Sequence, residues 1–140
     1  MRLVVDTNVV VAAFRSASGA SNALLRYAET GTVTLLCSTA LFLEYEAVLS
    51  RPEVRNATGH TLRDVEEVMD AFALIATPVD VHFGTRPMLR DADDEMVVEV
   101  ASNGGAEFIV THNLRDFLPA QALGVRVVTP SEVVRRLRHE

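Results

Sequence analysis

The chain has 140 residues, of which 49% are hydrophobic, and its 13 basic and 19 acidic side chains give a formal net charge of −6. A chain of this length can bury most of its surface around one core, so we expect a single domain over residues 1–140. The negative charge argues against a general nucleic-acid binder, because such contacts would then depend on a local basic patch. No apolar run approaches the roughly 20 residues of a membrane span, and no signal peptide follows Met1, so we expect a cytoplasmic protein.

The first half of the chain alternates short β-branched runs with longer segments of helical period. The run Leu3-Val4-Val5 is continuously apolar, as in a strand that is covered on both faces. Small residues then separate two helical stretches, and Gly31 ends the second of them. Ser38 can cap a further helix, which Arg51-Pro52 ends. The pattern thus predicts strands at 3–5 and 33–37, and helices at 9–14, 22–29 and 38–50.

The second half continues the alternation. Thr61 and Asp64 have the spacing of a capping box, before an apolar helical stripe that Pro78 closes. The pattern further predicts an edge strand at 79–83, a helix from the Asp-rich stretch 91–94 to Gly104-Gly105, and strands at 108–111 and 125–128. Thr129 as N-cap, Pro130 as N1 and Glu132 as N3 predict a second capping box at the start of a closing helix. Such alternation is typical of βαβ units. We therefore predict a single-domain three-layer α/β/α sandwich with a mainly parallel central sheet.

Acidic and amide side chains follow two of the predicted strands directly. Asp6 comes after the first strand, and Asn113 and Asp116 come soon after the strand at 108–111. Ligands of open parallel sheets bind beyond the carboxyl ends of the strands, so these residues are candidates for a functional site. Taken singly, Asp6 or Asn113 could equally be the N-cap of the helix that follows.

Asp94 stands out on its predicted helix because apolar residues share its face. At about 100° per residue, this face also carries Val97, Val98 and Ala101. A carboxylate held against apolar neighbours is costly unless a helix N-terminus or a cation compensates it. Asp91 and Asp93 are expected to be an N-cap and a loop charge.

The helix after Ser38 offers two glutamates, and periodicity alone does not choose between them. Glu44 and Glu46 lie at the two margins of its apolar face. Glu44 falls in the narrower gap, between Val48 and small alanines, so we favour Glu44 as the partly enclosed carboxylate.

A cluster of Asp6, Glu44, Asp94 and the pair Asn113 and Asp116 would repel itself unless a divalent cation were bound. Oxygen ligands select Mg²⁺ or Mn²⁺ rather than zinc. The chain has no lysine, no phosphate-binding loop and no nucleophile elbow, which argues against receiver domains, dehalogenase-type phosphatases and serine hydrolases. Neither the lone Cys37 nor the four histidines have the spacing of zinc ligands, and only His112 lies beside a candidate residue.

Five motifs follow one another along the chain, at residues 4–8, 43–52, 90–95, 110–117 and 124–130. In this order they resemble the PIN domain family, and within it a subgroup of VapC-like ribonucleases that are toxins of toxin–antitoxin systems. This resemblance spans nearly the whole chain. It implies that Asp6, Glu44 and Asp94 are metal-binding acids.

The fourth of these motifs departs from the family pattern. Most members have an aspartate soon after the Val-Thr, where this chain has Asn113, which offers one neutral oxygen. Asp116 replaces the missing charge or acts through water. The departure also motivates an alternative, a PIN-fold RNA-binding or regulatory module with impaired catalysis.

The resemblance implies single-stranded RNA as the substrate, cleaved by a metal-activated water, a small antitoxin partner that covers the site, and a homodimer. A DNA-directed flap-type nuclease is a weaker alternative, since the chain lacks room for that group's DNA-gripping segments. Candidate contacts to phosphate are Arg15, Arg51, Arg86, Arg90 and Arg115, each of which could equally be a solvated surface arginine. Those of the closing helix, Arg135, Arg136 and Arg138, are explained at least as well by the helix dipole.

Overall fold

The computed structural model describes residues 1–82, 89 and 91–139. Its centre is a five-stranded sheet in the order β3-β2-β1-β4-β5, and every neighbouring pair is parallel. The strands are β1 (Arg2–Val5), β2 (Thr34–Cys37), β3 (Ala76–Pro78), β4 (Phe108–Val110) and β5 (Arg126–Val128).

Helices connect successive strands and cover both faces of this sheet. The chain moves outward from β1 to β2 and β3, and then returns to place β4 on the other side of β1. With right-handed crossovers, this reversal puts helices on opposite faces, so the predicted three-layer fold class is confirmed. The helices are α1 (Thr7–Arg15), α2 (Ala20–Glu29), α3 (Thr39–Leu49), α4 (Pro52–Thr58), α5 (Leu62–Ile75), α6 (Ala92–Gly104), α7 (Leu114–Phe117) and α8 (Pro130–Arg138), with a 3₁₀ segment at Leu118–Leu123.

The core lies where α6 packs across β1, β2 and β4. All three apolar residues of β1 and all three residues of β4 are buried, which explains their unbroken hydrophobic runs. The predicted capping boxes at Thr61 and Thr129 are both present and fix the starts of α5 and α8. No helix in the described ranges is long and apolar enough to cross a lipid bilayer.

Several elements differ from the sequence prediction. Helix α7 and the 3₁₀ segment after it were not predicted. The helix α4 was missed: Pro52 stands at its first turn and Gly59 ends it with a φ of 79°, so Pro52 starts a helix as well as ending the preceding one. The edge strand was placed too late, because α5 ends at Ile75 and β3 begins at once. An edge strand tolerates Pro78, which has no amide hydrogen to donate. The predicted strand end at Phe83 lies outside the described residues.

Candidate active site

A cleft opens between the carboxyl ends of β1 and β4, where the strand order reverses. Its volume is about 650 Å³. Such a reversal point is where open α/β sheets hold their ligands. The charged residues that line it are Asp6, Glu44, Asp91, Asp93, Asp94, Arg15 and Arg51, together with His112.

Asp6 is fixed at the floor of this cleft by hydrogen bonds to both carboxylate oxygens. Its Oδ1 accepts from the Thr7 backbone at 2.7 Å, and its Oδ2 accepts from the Thr111 hydroxyl at 2.8 Å. Asp6 is also the N-cap of α1 and is only 6% exposed. The N-cap interpretation of Asp6 is therefore confirmed, and the same carboxylate also lines the cleft.

Burial is the main influence on Asp6 and raises the pKa of its carboxyl. The hydrogen bonds from Thr111 and Thr7 lower that pKa, while the negative charge of Asp91 raises it. Thr111 itself is fully buried at the end of β4 and was missed by sequence reasoning. The only signal was its position, one residue after a strand that pairs with β1.

Helix α3 brings Glu44 into the cleft, and the neighbouring Tyr45 holds that helix in place. The buried Tyr45 hydroxyl donates to the Val5 carbonyl, the last residue of β1. Glu44 lines the cleft and Glu46 is absent from its described lining, as the narrower gap around Glu44 predicted. Burial raises the pKa of the Glu44 carboxyl, and the negative charge of Asp93 raises it further.

Asp94 lies in the first turn of α6, beside buried Val97, Val98 and Ala101 as its helical face predicted. Burial raises the pKa of its carboxyl to about 7, and the charges of four other aspartates add to the shift. In order of effect they are Asp6, Asp91, Asp116 and Asp93. Repulsion from four neighbouring aspartates thus adds to the effect of burial at Asp94.

The residues after β4 divide between the cleft and its margin. Asn113 lines the cleft, and its backbone N–H donates to the Thr111 hydroxyl at 3.0 Å. Asp116 lies in α7, is exposed, and is not part of the described cleft lining, although its charge reaches Asp94. The structure therefore brings Asp6, Glu44, Asp94 and Asn113 together and leaves Asp116 at the edge.

The first turn of α6 contributes more to the cleft than its sequence suggested. Asp91 is the predicted N-cap, and its side chain accepts from the Asp93 backbone at 2.8 Å. Both side chains also line the cleft. Asp91 and Asp93 stand on either side of Ala92 at the start of α6, a pattern equally typical of a solvated helix start, so the sequence carried no signal of their place in the cleft.

Basic groups border the same cleft. Arg15 and Arg51 line it, whereas Arg115 is absent from its described lining, and Arg86 and Arg90 lie outside the described residues. His112 lines the cleft and places its Nε2 3.1 Å from the Ser21 hydroxyl.

The donors around the cleft are carboxylate and amide oxygens, which suit hard cations such as Mg²⁺ or Mn²⁺. Within residues 1–82, 89 and 91–139, no three His, Cys, Asp or Glu side chains are grouped closely enough to hold an ion by themselves. The donor chemistry therefore fits such a cation, but a preformed set of three protein ligands is not seen in the described part of the chain.

Comparison with known proteins supports the fold and the family. No curated protein matches the chain. A similar solved structure is a chain from the crystal structure of VapBC2 from Rickettsia felis bound to a DNA fragment from their promoter, with 15% identity and a TM-score of 0.63 over 92% of this chain and 98% of that chain. Residues 2–115 match the PIN domain family. The chain belongs to the PIN domain family.

Proposed function

We propose that this protein is an endoribonuclease that uses Mg²⁺ or Mn²⁺ to hydrolyse phosphodiester bonds of single-stranded RNA. The observation that carries this proposal is the shared environment of Asp6, Glu44 and Asp94. All three line one cleft, and the pKa of each carboxyl is raised. Groups with perturbed pKa values that converge in a cleft are typical of active sites.

A divalent cation is the simplest partner for such a cluster. It would favour the ionised form of each carboxylate and so oppose the shifts that burial and mutual repulsion produce. Mg²⁺ commonly uses one or two protein carboxylates and completes its shell with water and substrate phosphate. This coordination needs fewer than three protein ligands, so it is compatible with the absence of a group of three metal-binding side chains among the described residues.

The residues of the cleft have distinct roles in this proposal. Asp6, Glu44 and Asp94 would hold the cation, with Asn113 and Asp116 as weaker contributors. When bound, the cation supplies an activated water and stabilises charge on the scissile phosphate. Asp6 keeps its orientation because Thr7 and Thr111 donate to it. Arg15 and Arg51 provide positive charge for the phosphates of the substrate.

The test is Asp6→Asn, measured by Mg²⁺- or Mn²⁺-dependent cleavage of a labelled single-stranded RNA. We expect cleavage to be abolished while the circular dichroism spectrum and the melting transition are retained. Asp70→Asn is the matched control, because Asp70 is an exposed aspartate on α5 that undergoes the same chemical change away from the cleft lining. Undiminished cleavage by Asp6→Asn would contradict the proposal.

Asn113 favours a second candidate, a catalytically impaired PIN-fold module that binds RNA or regulates. Its amide supplies no negative charge where most family members have an aspartate. Calorimetric titration with Mn²⁺ separates the two candidates, using the wild type, Asp94→Ala and Asn113→Asp. A nuclease binds Mn²⁺ in the wild type, more weakly in Asp94→Ala and more tightly in Asn113→Asp. No detectable binding in the wild type would favour the module.

We also propose that the protein acts as the toxin of a toxin–antitoxin pair and forms a homodimer. The PIN-family membership and the likeness to a chain of VapBC2 support the toxin role. Growth arrest on expression of the wild type but not of Asp6→Asn would support it. Light scattering of the purified protein tests the dimer, and a monomeric mass would count against it.

A further inference from the structure

Basic side chains gather at a second cavity, between helices α2 and α8. Its volume is about 310 Å³, and its lining includes Arg26 from α2 with Arg135 and Arg138 from α8. No acidic residue is among its described lining. The chain has a net charge of −6, so this cavity has the opposite charge to the molecule as a whole.

These three arginines make no ion pair and no side-chain hydrogen bond with any described residue. Elsewhere in the structure, arginines near this end of the chain have a packing role: Arg136 lies 5.2 Å from the centre of the Phe108 ring. The dipole of α8 accounts for basic residues near its own end. It does not account for Arg26, which comes from another helix to line the same cavity.

Neutral donors complete the lining. The hydroxyl-bearing residues Ser18 and Ser131 line the cavity together with Gly19, the N-cap of α2. Gly19 has no side chain, so no side-chain oxygen of the cap accepts from the first-turn amides of α2. These groups add donors to the arginines without adding negative charge.

The arginine-lined cavity adjoins the acidic cleft. Gly19 and Ala20 line the cavity, and the next residue, Ser21, places its hydroxyl 3.1 Å from His112 of the cleft. Helix α8 begins directly after β5, so its first turn is at the carboxyl edge of the same sheet. One end of the cavity therefore lies towards the same edge of the sheet as the cleft, with the start of α2 between them.

We propose that the cavity formed by Arg26, Arg135 and Arg138 is a subsite for the backbone phosphates of single-stranded RNA that flank the bond in the acidic cleft. This inference rests on the proposed function, whose substrate it positions. Guanidinium groups bind phosphate through paired hydrogen bonds. The charged residues in the described lining are all arginines, so the cavity repels cations and a polyanion is the fitting ligand. Arg26 and Arg138 also line a further cavity of about 360 Å³ with Tyr27 and Thr30. The two cavities together offer room for more than one phosphate.

The experiment measures binding of a fluorescein-labelled single-stranded RNA by anisotropy, with every variant in the Asp6→Asn background so that the RNA stays intact. The test variant replaces Arg26, Arg135 and Arg138 with glutamine. We expect its affinity for a long RNA to fall roughly tenfold or more, and the slope of log affinity against log salt to decrease in magnitude by about 0.7 for each phosphate that is no longer bound. A short RNA that fills only the cleft loses much less affinity.

Single replacements provide the matched control. Arg26→Gln weakens binding, whereas Arg63→Gln, which removes the same charge from an exposed arginine on α5, does not. Equal affinity and equal salt slope for the triple variant and its parent would overturn the subsite. So would displacement of the RNA by polyglutamate as effectively as by unlabelled RNA, because the cavity would then recognise an acidic protein chain.

Cleavage assays distinguish this inference from the nuclease proposal. In the active background, the triple glutamine variant raises the KM for long RNA and leaves kcat nearly unchanged. If the wild type fails to cleave RNA while binding still depends on the three arginines, the nuclease proposal fails and the subsite stands. If the wild type cleaves and binding ignores these arginines, the subsite fails alone.

Discussion

Charged groups have favourable partners at the amino edge of the sheet and repel one another at its carboxyl edge. At the amino edge, the Arg2 backbone donates to the Glu107 carboxylate at 3.2 Å, and the Arg2 guanidinium donates to the Gly104 carbonyl at 2.6 Å. At the carboxyl edge, Asp6 and Asp94 face further aspartates, and the pKa of each carboxyl is raised.

This contrast shows that unfavourable burial and repulsion of carboxylates occur at the carboxyl edge. Charges that serve only the fold are matched by nearby donors, as at the amino edge. Carboxylates that repel one another are stabilised by a bound proton, which is why their pKa values rise, or by a cation. The contrast therefore makes the carboxyl edge the candidate functional site on physical grounds, independently of family membership.

After Asp6→Asn, the largest effect is expected from Thr111→Val, which removes a hydrogen bond that orients the Asp6 carboxylate. This nearly isosteric change removes the donor to Asp6 Oδ2 and the acceptor of the Asn113 N–H. Loss of a group that orients a metal ligand typically costs roughly 10- to 100-fold in activity or metal affinity. We expect kcat/KM for RNA to fall by that factor.

The pH–rate profile tests whether this loss of activity comes from a change in the pKa of Asp6. Without the Thr111 hydrogen bond the pKa of Asp6 rises further, so the acid limb of the profile moves to higher pH. Thr111→Ser keeps the hydroxyl and is expected to restore both the rate and the profile. An unchanged profile in Thr111→Val would show that the hydroxyl does not tune Asp6.

An intermediate effect is expected from Asp94→Asn on metal-free stability. In the folded protein the pKa of Asp94 is about 7, against an ordinary value of 3.8. Between these values the folded state binds more protons than the unfolded state, so stability decreases as pH rises through this window and is level above it. Asp94→Asn makes this slope shallower, and the raised pKa values of Asp6 and Glu44 account for the slope that remains.

The measurement is the melting temperature in a chelator across this pH window. Asp70→Asn serves as the control and retains the wild-type slope. Added Mn²⁺ is expected to raise the wild-type melting temperature most at pH values above 7, where Asp94 is ionised. A wild type whose metal-free stability rises with pH over the same window would refute this assignment.

The smallest effect is expected at the amino edge, from Glu107→Gln. The amide oxygen can still accept from the Arg2 backbone, and the residue is exposed. We expect the free energy of unfolding to change by less than about 0.5 kcal/mol and RNA cleavage to stay at the wild-type rate. A large loss of activity would remove the contrast between the two edges.

Much of the fold followed from local patterns. Continuous apolar runs identified β1 and β4, and capping boxes at Thr61 and Thr129 identified the starts of two helices. The edge strand was misplaced because Ala76–Pro78 is short and carries a weak strand signal. Its pairing with β2 decides its position, and pairing is a property of two segments rather than one.

The site was predicted where a single segment held the information. Asp6 follows its strand directly, Asp94 shares a face with apolar residues, and Glu44 occupies the narrower gap on its helix. Asp91 and Asp93 were underestimated because their sequence is equally typical of a solvated helix start. Only packing against the carboxyl edge shows that they also line the cleft.

For Asp6, the sequence by itself determined that a carboxylate follows a buried strand, because strand burial and helix capping are short-range properties. Only the tertiary structure decided what surrounds it, namely the Thr111 hydroxyl and the aspartates at the start of α6. The same is true of the arginine-lined cavity, which is built from α2 and α8. These neighbours are far apart along the chain, and electrostatic interaction depends on distance in space. The raised pKa values of the carboxyls in the cleft, and the arginine-lined cavity, therefore exist only in the folded protein.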